Sequence, residues 1–273
     1  MFTVPARAGR KEQAMKRRTI ALVLIMLMIS GCVLTGCGKK SGSSGESIAE
    51  HAAGQSSEET AGEQAEETEE EGSGETTDVQ KKDPKEEWSE KDFSELRGRV
   101  EDGVYTNDYF GITFDASKSN WLVGDEAELA QYAGLPDGAG EEEFKAYFEE
   151  NGHFFDVFFE NLQDYSNINV VIQDLGLLGG AMSDIEDYVE VALDAAAESL
   201  ENEGLTDVKS EAGTTYFMGE KEVPCVYVTG TLQGIDIFQR QIYVKRGRYI
   251  ACITATCFNS DMTRERLAGF KAL

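Results

Sequence analysis

Residues 208–258 read VKSEAGTTYFMGEKEVPCVYVTGTLQGIDIFQRQIYVKRGRYIACITATCF. Their β-branched and aromatic residues fall into four runs, which polar turns such as Gln233-Gly234 and Arg246-Gly247 separate. We expect strands over residues 208–218, 223–231, 235–244 and 249–258. Because short turns join consecutive strands, the four strands should form an antiparallel meander.

The segment before this meander predicts one long helix and a strand pair. Residues 184–203 repeat apolar side chains at the 3.6-residue period, with Ser183 as the N-cap, Glu186 completing a capping box and Gly204 as the stop signal. Residues 154–159 and 169–174 are apolar and β-branched and should pair as a hairpin. We expect short helices at 125–133 and 141–150 and a last helix at 262–272. The fold class is therefore α+β, with an antiparallel sheet covered by helices.

A local signature lies upstream, where residues 104–106 and 109–114 read as β around a turn at Asn107-Asp108. The run Tyr109-Phe110-Gly111-Ile112-Thr113-Phe114, with Trp121 closely behind it in a loop, precedes the long helix, the meander and the terminal helix. This order of elements over residues 101–273 resembles the PsbP-like fold, which includes small bacterial lipoproteins of the DcrB type. The resemblance implies a scaffold or binding role and no catalytic residues. The chain departs from the bacterial pattern at Ser119-Asn120, where relatives often have Pro before the Trp.

The composition argues against several functions. The 273-residue chain has a formal net charge of -26 and only two histidines. Such an acidic chain is unsuited to the nucleic-acid backbone, which requires clustered Lys and Arg. His51 lies in a low-complexity tract, so His153 alone is left for imidazole chemistry in the folded part. We therefore expect no enzyme, no metal site and no cofactor.

The first 36 residues predict an export signal. Basic residues at 16–18 precede a short apolar run over 20–29, as in a secretory signal, and Met15 is a possible alternative start. The run is too short to span a membrane. Leu34-Thr35-Gly36-Cys37 resembles the bacterial lipobox, which implies diacylglyceryl transfer to Cys37. Ile29-Ser30-Gly31-Cys32 fits the same pattern, but a polar tract directly follows Cys37, which favours Cys37 over Cys32.

Residues 37–100 predict a disordered acidic tether ahead of a folded domain over 101–273. Ser, Gly, Glu and Thr dominate residues 38–85, which cannot bury enough apolar surface to offset the entropy of ordering. Residues 85–100 are transitional, since Trp88, Phe93 and Leu96 could form one or two helical turns that pack on the domain.

Within the domain, the candidate ligand loop contains Gly176, Gly179 and Gly180, between a strand and the long helix. A glycine-rich loop at a helix start can hold a phosphate, but this spacing fits neither the dinucleotide motif nor the P-loop. A plain loop that borders a cleft is the favoured interpretation. His153 should be a helix-exit residue.

The three domain cysteines, Cys225, Cys252 and Cys257, fall in predicted strands. An exported protein invites disulfide pairing. Cys252 and Cys257 should face opposite sides of one strand, and Cys225 should lie two strands away, beyond bridging distance. We therefore expect buried free thiols.

Charged residues offer two further candidates. Asp156 and Asp174 interrupt apolar strands and could form a buried acid pair, although strand-end or solvent-facing positions are favoured. Lys245, Arg246 and Arg248 form a basic hairpin tip that could meet an anionic partner, with a solvated turn as the default.

Together these features predict an extracytoplasmic lipoprotein on the cell membrane, held there by an N-terminal lipid anchor. Its domain should be a non-catalytic binding or scaffold module, with an envelope protein as a possible partner and no nucleic acid. The alternative is a small-ligand or solute-binding lipoprotein that serves a transporter. A pocket of converging polar groups would favour the alternative, and a flat apolar patch would favour the scaffold.

Overall fold

The structure, a computed structural model, describes residues 89–176 and 184–273. Over these residues the chain is mixed α+β with two antiparallel sheets. The helices are α1 (Phe93–Leu96), α2 (Glu126–Tyr132), α3 (Glu141–Asn151), α4 (Ile185–Asn202) and α5 (Thr263–Leu267). The strands are β1 (Arg99–Glu101), β2 (Val104–Asn107), β3 (Ile112–Asp115), β4 (Trp121–Val123), β5 (His153–Asn161), β6 (Asn167–Asp174), β7 (Thr206–Phe217), β8 (Glu220–Leu232), β9 (Ile235–Arg246), β10 (Tyr249–Phe258) and β11 (Phe270–Ala272).

The larger sheet has seven strands in the order β4-β5-β6-β10-β9-β8-β7. The predicted meander forms its β10-β9-β8-β7 half, and the predicted hairpin forms β5-β6. The smaller sheet has the order β1-β2-β3-β11. Apolar rings pack the two sheets together, with the centroids of Phe114 and Phe159 4.7 Å apart and those of Tyr105 and Phe159 6.1 Å apart.

A β-bulge in β5 determines which side chains face the small sheet. The register of β5 against β6 shifts between Phe155 and Val157, so Asp156 turns to the same side as Phe159. We call this side, toward the small sheet, the inner face, and the opposite side, which carries Phe158, the outer face. Tyr132 of α2 packs on Phe158 at 5.2 Å, and Tyr188 of α4 packs on Tyr243 at 4.8 Å. Both helices therefore contact the outer face.

Folded structure begins before the predicted boundary at residue 101. Phe93 and Leu96 in α1 are buried, and residue 101 is the end of β1. Phe93 packs on Phe154 with a centroid distance of 4.7 Å. The short helix predicted within 85–100 thus belongs to the core, and the part of the predicted tether from α1 onward is packed.

Three predicted details are wrong. The helix predicted at 262–272 ends at Leu267, and β11 follows it. After this helix the chain passes close to Phe114: a Cβ on Gly269 would lie 2.6 Å from Phe114 Cε2. Trp121 begins strand β4 and does not lie in a loop. The N-cap of α4 is Asp184, whose side chain makes no capping hydrogen bond, so the predicted capping box of Ser183 and Glu186 is absent. Ser183 itself lies outside the described residues.

Candidate functional site

The most unusual feature of the described residues is a group of buried, uncharged polar side chains on the outer face of the large sheet. Strand pairing aligns them in two rows across β6, β10 and β9, because directly paired residues project from the same face. We call these six residues the amide patch: Asn169, Thr254 and Gln241 in one row, and Asn167, Thr256 and Gln239 in the other. Each of the six is at most 3% exposed.

Hydrogen bonds connect one end of the patch. Tyr243 donates its hydroxyl to Gln241 Oε1 at 2.5 Å, and Gln241 Nε2 donates to Gln239 Oε1 at 3.0 Å. Gln239 Nε2 lies 3.4 Å from Thr256 Oγ1. These hydrogen bonds therefore run from Tyr243, which packs on α4, to Thr256 of β10, the strand next to β6.

The other end of the patch has unpaired polar atoms. Both Nδ2 and Oδ1 of Asn167, and Nδ2 of Asn169, are buried without a hydrogen-bond partner. A buried polar group without a partner costs about 1–3 kcal/mol, and buried polar groups in folded proteins are usually paired. Two donors and one acceptor are thus available to a bound molecule at this point.

The surroundings of the patch are apolar on two sides and acidic at one corner. On β5, Phe158 pairs with Asn169 and Glu160 pairs with Asn167. The pKa of Glu160 is raised, mainly by desolvation and secondly by the nearby Glu128 carboxylate. On β8, Val226 and Val228 pair with Gln241 and Gln239. The arrangement can bind a neutral polar group, and it offers no nucleophile and base in contact.

The predicted ligand loop is described only at its first glycine. Gly176 has φ of +60° and donates its N–H to Asp174 Oδ1 at 2.7 Å. This bond closes a local turn at the end of β6. Gly179 and Gly180 lie outside the described residues.

The predicted positions of the two aspartates are right for Asp174 and wrong for Asp156. Asp156 is 5% exposed and accepts hydrogen bonds from Gly98 N at 2.8 Å, Tyr105 Oη at 2.6 Å and Asn107 Nδ2 at 2.9 Å. Burial raises its pKa, although these three bonds oppose the change. The bulge turns the carboxylate inward, where it links the large sheet to the small one. The two aspartates do not form an acid pair.

The basic hairpin tip is not a solvated turn. Arg248 forms a two-bonded ion pair with Asp174 at the end of β6, and its Nε–Oδ1 distance is 2.7 Å. Arg246 donates to the Tyr109 carbonyl, and its guanidinium lies 5.3 Å from the Tyr109 ring centroid. Lys245 is half-buried. Both arginines are therefore committed to contacts within the domain.

His153 follows the C-cap Gly152 of α3, as predicted for a helix-exit residue, and begins β5. Its Nδ1 lies 3.1 Å from the Asn151 carbonyl, and its Nε2 lies 3.1 Å from Tyr147 Oη. A carbonyl can only accept, so Nδ1 carries the proton and Nε2 accepts from the tyrosine. Desolvation lowers the pKa of His153. Over residues 89–176 and 184–273, no group of three or more His, Cys, Asp and Glu side chains could hold a metal ion.

The cysteines agree in part with the prediction. Cys225 and Cys257 are free and buried, as expected, and desolvation raises the pKa of Cys257 to about 11. Cys252 is disulfide-bonded, so the predicted free thiol is wrong there.

The predicted lipidation residues, Cys37 and the alternative Cys32, lie outside the described residues, as does most of the predicted tether. Within the part of the chain that the structure describes, no helix is long and apolar enough to cross a membrane.

Comparisons with known proteins give little more. No family model matches the chain, and no curated protein matches it. Among solved structures, the chain is similar to the solution structure of cyanobacterial PsbP (CyanoP) from Synechocystis sp. PCC 6803. The two share 13% sequence identity with a TM-score of 0.32, and the match covers 65% of this chain and 94% of that one.

Sequence reasoning missed the amide patch. Its signal is a polar residue at alternate positions within a strand: Asn167 and Asn169 in β6, Gln239 and Gln241 in β9, and Thr254 and Thr256 in β10. Such alternation normally indicates a solvent-exposed face. In this protein the alternating polar residues are buried, so they indicate a polar patch inside the domain and not a solvent-exposed face.

Proposed function

We propose that this protein is a lipid-anchored, extracytoplasmic protein whose folded domain, of the PsbP-like kind, is a non-catalytic binding module. The lipobox-like Leu34-Thr35-Gly36-Cys37 and the acidic, polar tract after it support the anchor and the tether. The ligand is a small polar molecule that binds at the amide patch.

The observation that carries the binding role is the set of unpartnered atoms on Asn167 and Asn169. A scaffold has no need of buried, unpaired amides, since apolar side chains of similar shape would be more stable there. This observation favours the small-ligand alternative over a flat protein-docking surface. A solute-binding lipoprotein that serves a transporter would use such a site.

The absence of a catalytic role is supported by the contacts of the candidate residues. Asp156 is bound by three donors, Arg248 is paired with Asp174, and both ring nitrogens of His153 have local partners. Each of these contacts holds one element of the fold to another.

The anchor is tested with Cys37→Ala, Cys32→Ala and the double variant in the native host. Membrane fractionation and incorporation of an alkyne-labelled fatty acid are measured for each. We expect the Cys37 variant to lose the label and leave the membrane fraction, and the Cys32 variant to keep both. A double variant that stays labelled and membrane-bound would refute the anchor.

A further inference from the structure

We propose that the amide patch binds a neutral saccharide through pairs of neighbouring hydroxyl or acetamido groups. This inference rests on the proposed function of the domain as a binding module, and it specifies the ligand class. Its three supports are the hydrogen-bonding character, the charge and the shape of the patch.

The unpaired atoms require a ligand that both donates and accepts. Asn167 presents a free donor and a free acceptor on one side chain, and Asn169 adds a second donor one row away. A sugar hydroxyl can donate and accept at once. Two adjacent hydroxyls can therefore bond both the nitrogen and the oxygen of one primary amide, whereas an inorganic anion would only accept and an ammonium group would only donate.

The charges exclude an anionic ligand. No charged side chain belongs to the patch, and the nearest paired position on β5 is Glu160, which lies within the electrostatic reach of Glu128. The raised pKa of Glu160 shows that this corner already disfavours a negative charge. A phosphate, carboxylate or uronate group at this corner would lie near the carboxyl groups of Glu160 and Glu128.

The extent of the patch matches one or two sugar rings. Strands lie about 4.7–4.9 Å apart and residues two positions apart are separated by about 7 Å, so the patch is roughly 10 Å by 7 Å. Phe158 and Tyr243 stand on the outer face at opposite sides of it. Aromatic rings beside planar amides suit a ligand with apolar C–H faces and polar edges.

The test uses the full chain and the double variant Asn167→Leu/Asn169→Leu. Leucine is close in shape to asparagine, and removing unpaired buried amides should raise the free energy of unfolding, so loss of binding would not reflect misfolding. Asn202→Leu, at the exposed end of α4, is the matched control. Binding is measured by calorimetry and by the side-chain amide signals of ¹⁵N-labelled protein.

The probes are maltose and N,N′-diacetylchitobiose, with N-acetylneuraminic acid as the anionic sugar and adenosine and glycylglycine as neutral non-sugars. We expect a neutral disaccharide to shift the Asn167 and Asn169 signals, the double variant to lose at least about tenfold in affinity, and the control to bind as the wild type does. Binding of only adenosine or glycylglycine at these signals would overturn the saccharide class and leave a binding module. If no probe binds, or if only the anionic sugar binds, the saccharide proposal is wrong, while the fractionation experiment separately tests the anchor.

Discussion

Substitution of Gly98 by Ala should destabilise the domain strongly, although Gly98 lies in the segment whose sequence predicts a disordered tether. A Cβ at this position would lie 2.4 Å from Tyr105 Cε2 and 2.9 Å from Asp156 Oδ2. Carbon atoms in contact are normally about 3.5–4.0 Å apart. One of these groups must therefore move by roughly 1 Å, and Tyr105 is fully buried.

The displacement has two costs. Overpacking in a core costs about 1–3 kcal/mol. Any movement of the tyrosine also weakens the 2.6 Å bond from Tyr105 Oη to Asp156, and an unsatisfied buried group costs about 1–3 kcal/mol. We expect Gly98→Ala to lower the free energy of unfolding by about 2–6 kcal/mol. Tyr105→Phe, which removes only the hydroxyl, should lower it by about 1–2 kcal/mol.

The measurement is urea unfolding of the full chain, followed by circular dichroism. Gly213→Ala is the matched control, because a Cβ there would meet only Cys225 Sγ, at 3.9 Å. Glycine within a strand is less stable than alanine by about 0.5–1 kcal/mol, so the control should be neutral or slightly more stable than the wild type. A Gly98→Ala protein with the unfolding midpoint and slope of the wild type would refute the packing of residues 93–101 on the domain.

Three further outcomes follow from buried titratable groups. Desolvation raises the pKa of Glu203 to about 8. Its contribution to stability is therefore complete below its unfolded pKa and is lost as the pH rises through about 8. Glu203→Gln should raise the melting temperature at pH 9 and change it less at pH 5, and a lower melting temperature at pH 9 would contradict this. Cys225 and Cys257 are buried. At pH 8, both should therefore react with a thiol reagent about 100-fold more slowly in the native protein than after denaturation. Rapid labelling of the native protein would show that they are accessible. The imidazole of His153 should titrate below its ordinary pKa in NMR spectra. Because its pKa is lowered on folding, its contribution to stability is present above the unfolded-state pKa and is lost as the pH falls through the folded-state pKa. A pKa above the ordinary value would show that the ring is not desolvated.

Regular alternation and turn signals were sufficient to predict much of the large sheet. The strand at 249–258 and the helix at 141–150 lie within about one residue of β10 and α3. Local patterns fail where a distant contact decides the outcome. Residues 270–272 form a strand because β3 offers them an edge, and Trp121 joins a strand because β5 does.

The candidate site was harder to predict for the same reason. A polar residue at every second position of a strand looks the same whether its face meets solvent or is buried. Asn167 and Asn169 become unusual only once their burial is known. Likewise, Asp156 is drawn inward by a bulge that no turn residue announces.

The pairing of β11 with β3 also constrains the order of folding. Phe270 pairs with Phe114, 156 positions earlier (270 − 114). During synthesis, the free edge of β3 in the antiparallel sheet of β1, β2 and β3 therefore stays unpaired until nearly all the intervening residues have been made. Contacts so distant in sequence form slowly, and an unpaired strand edge invites aggregation in the meantime. We expect the small sheet to be the last part of the domain to fold and the part most exposed to aggregation before folding is complete.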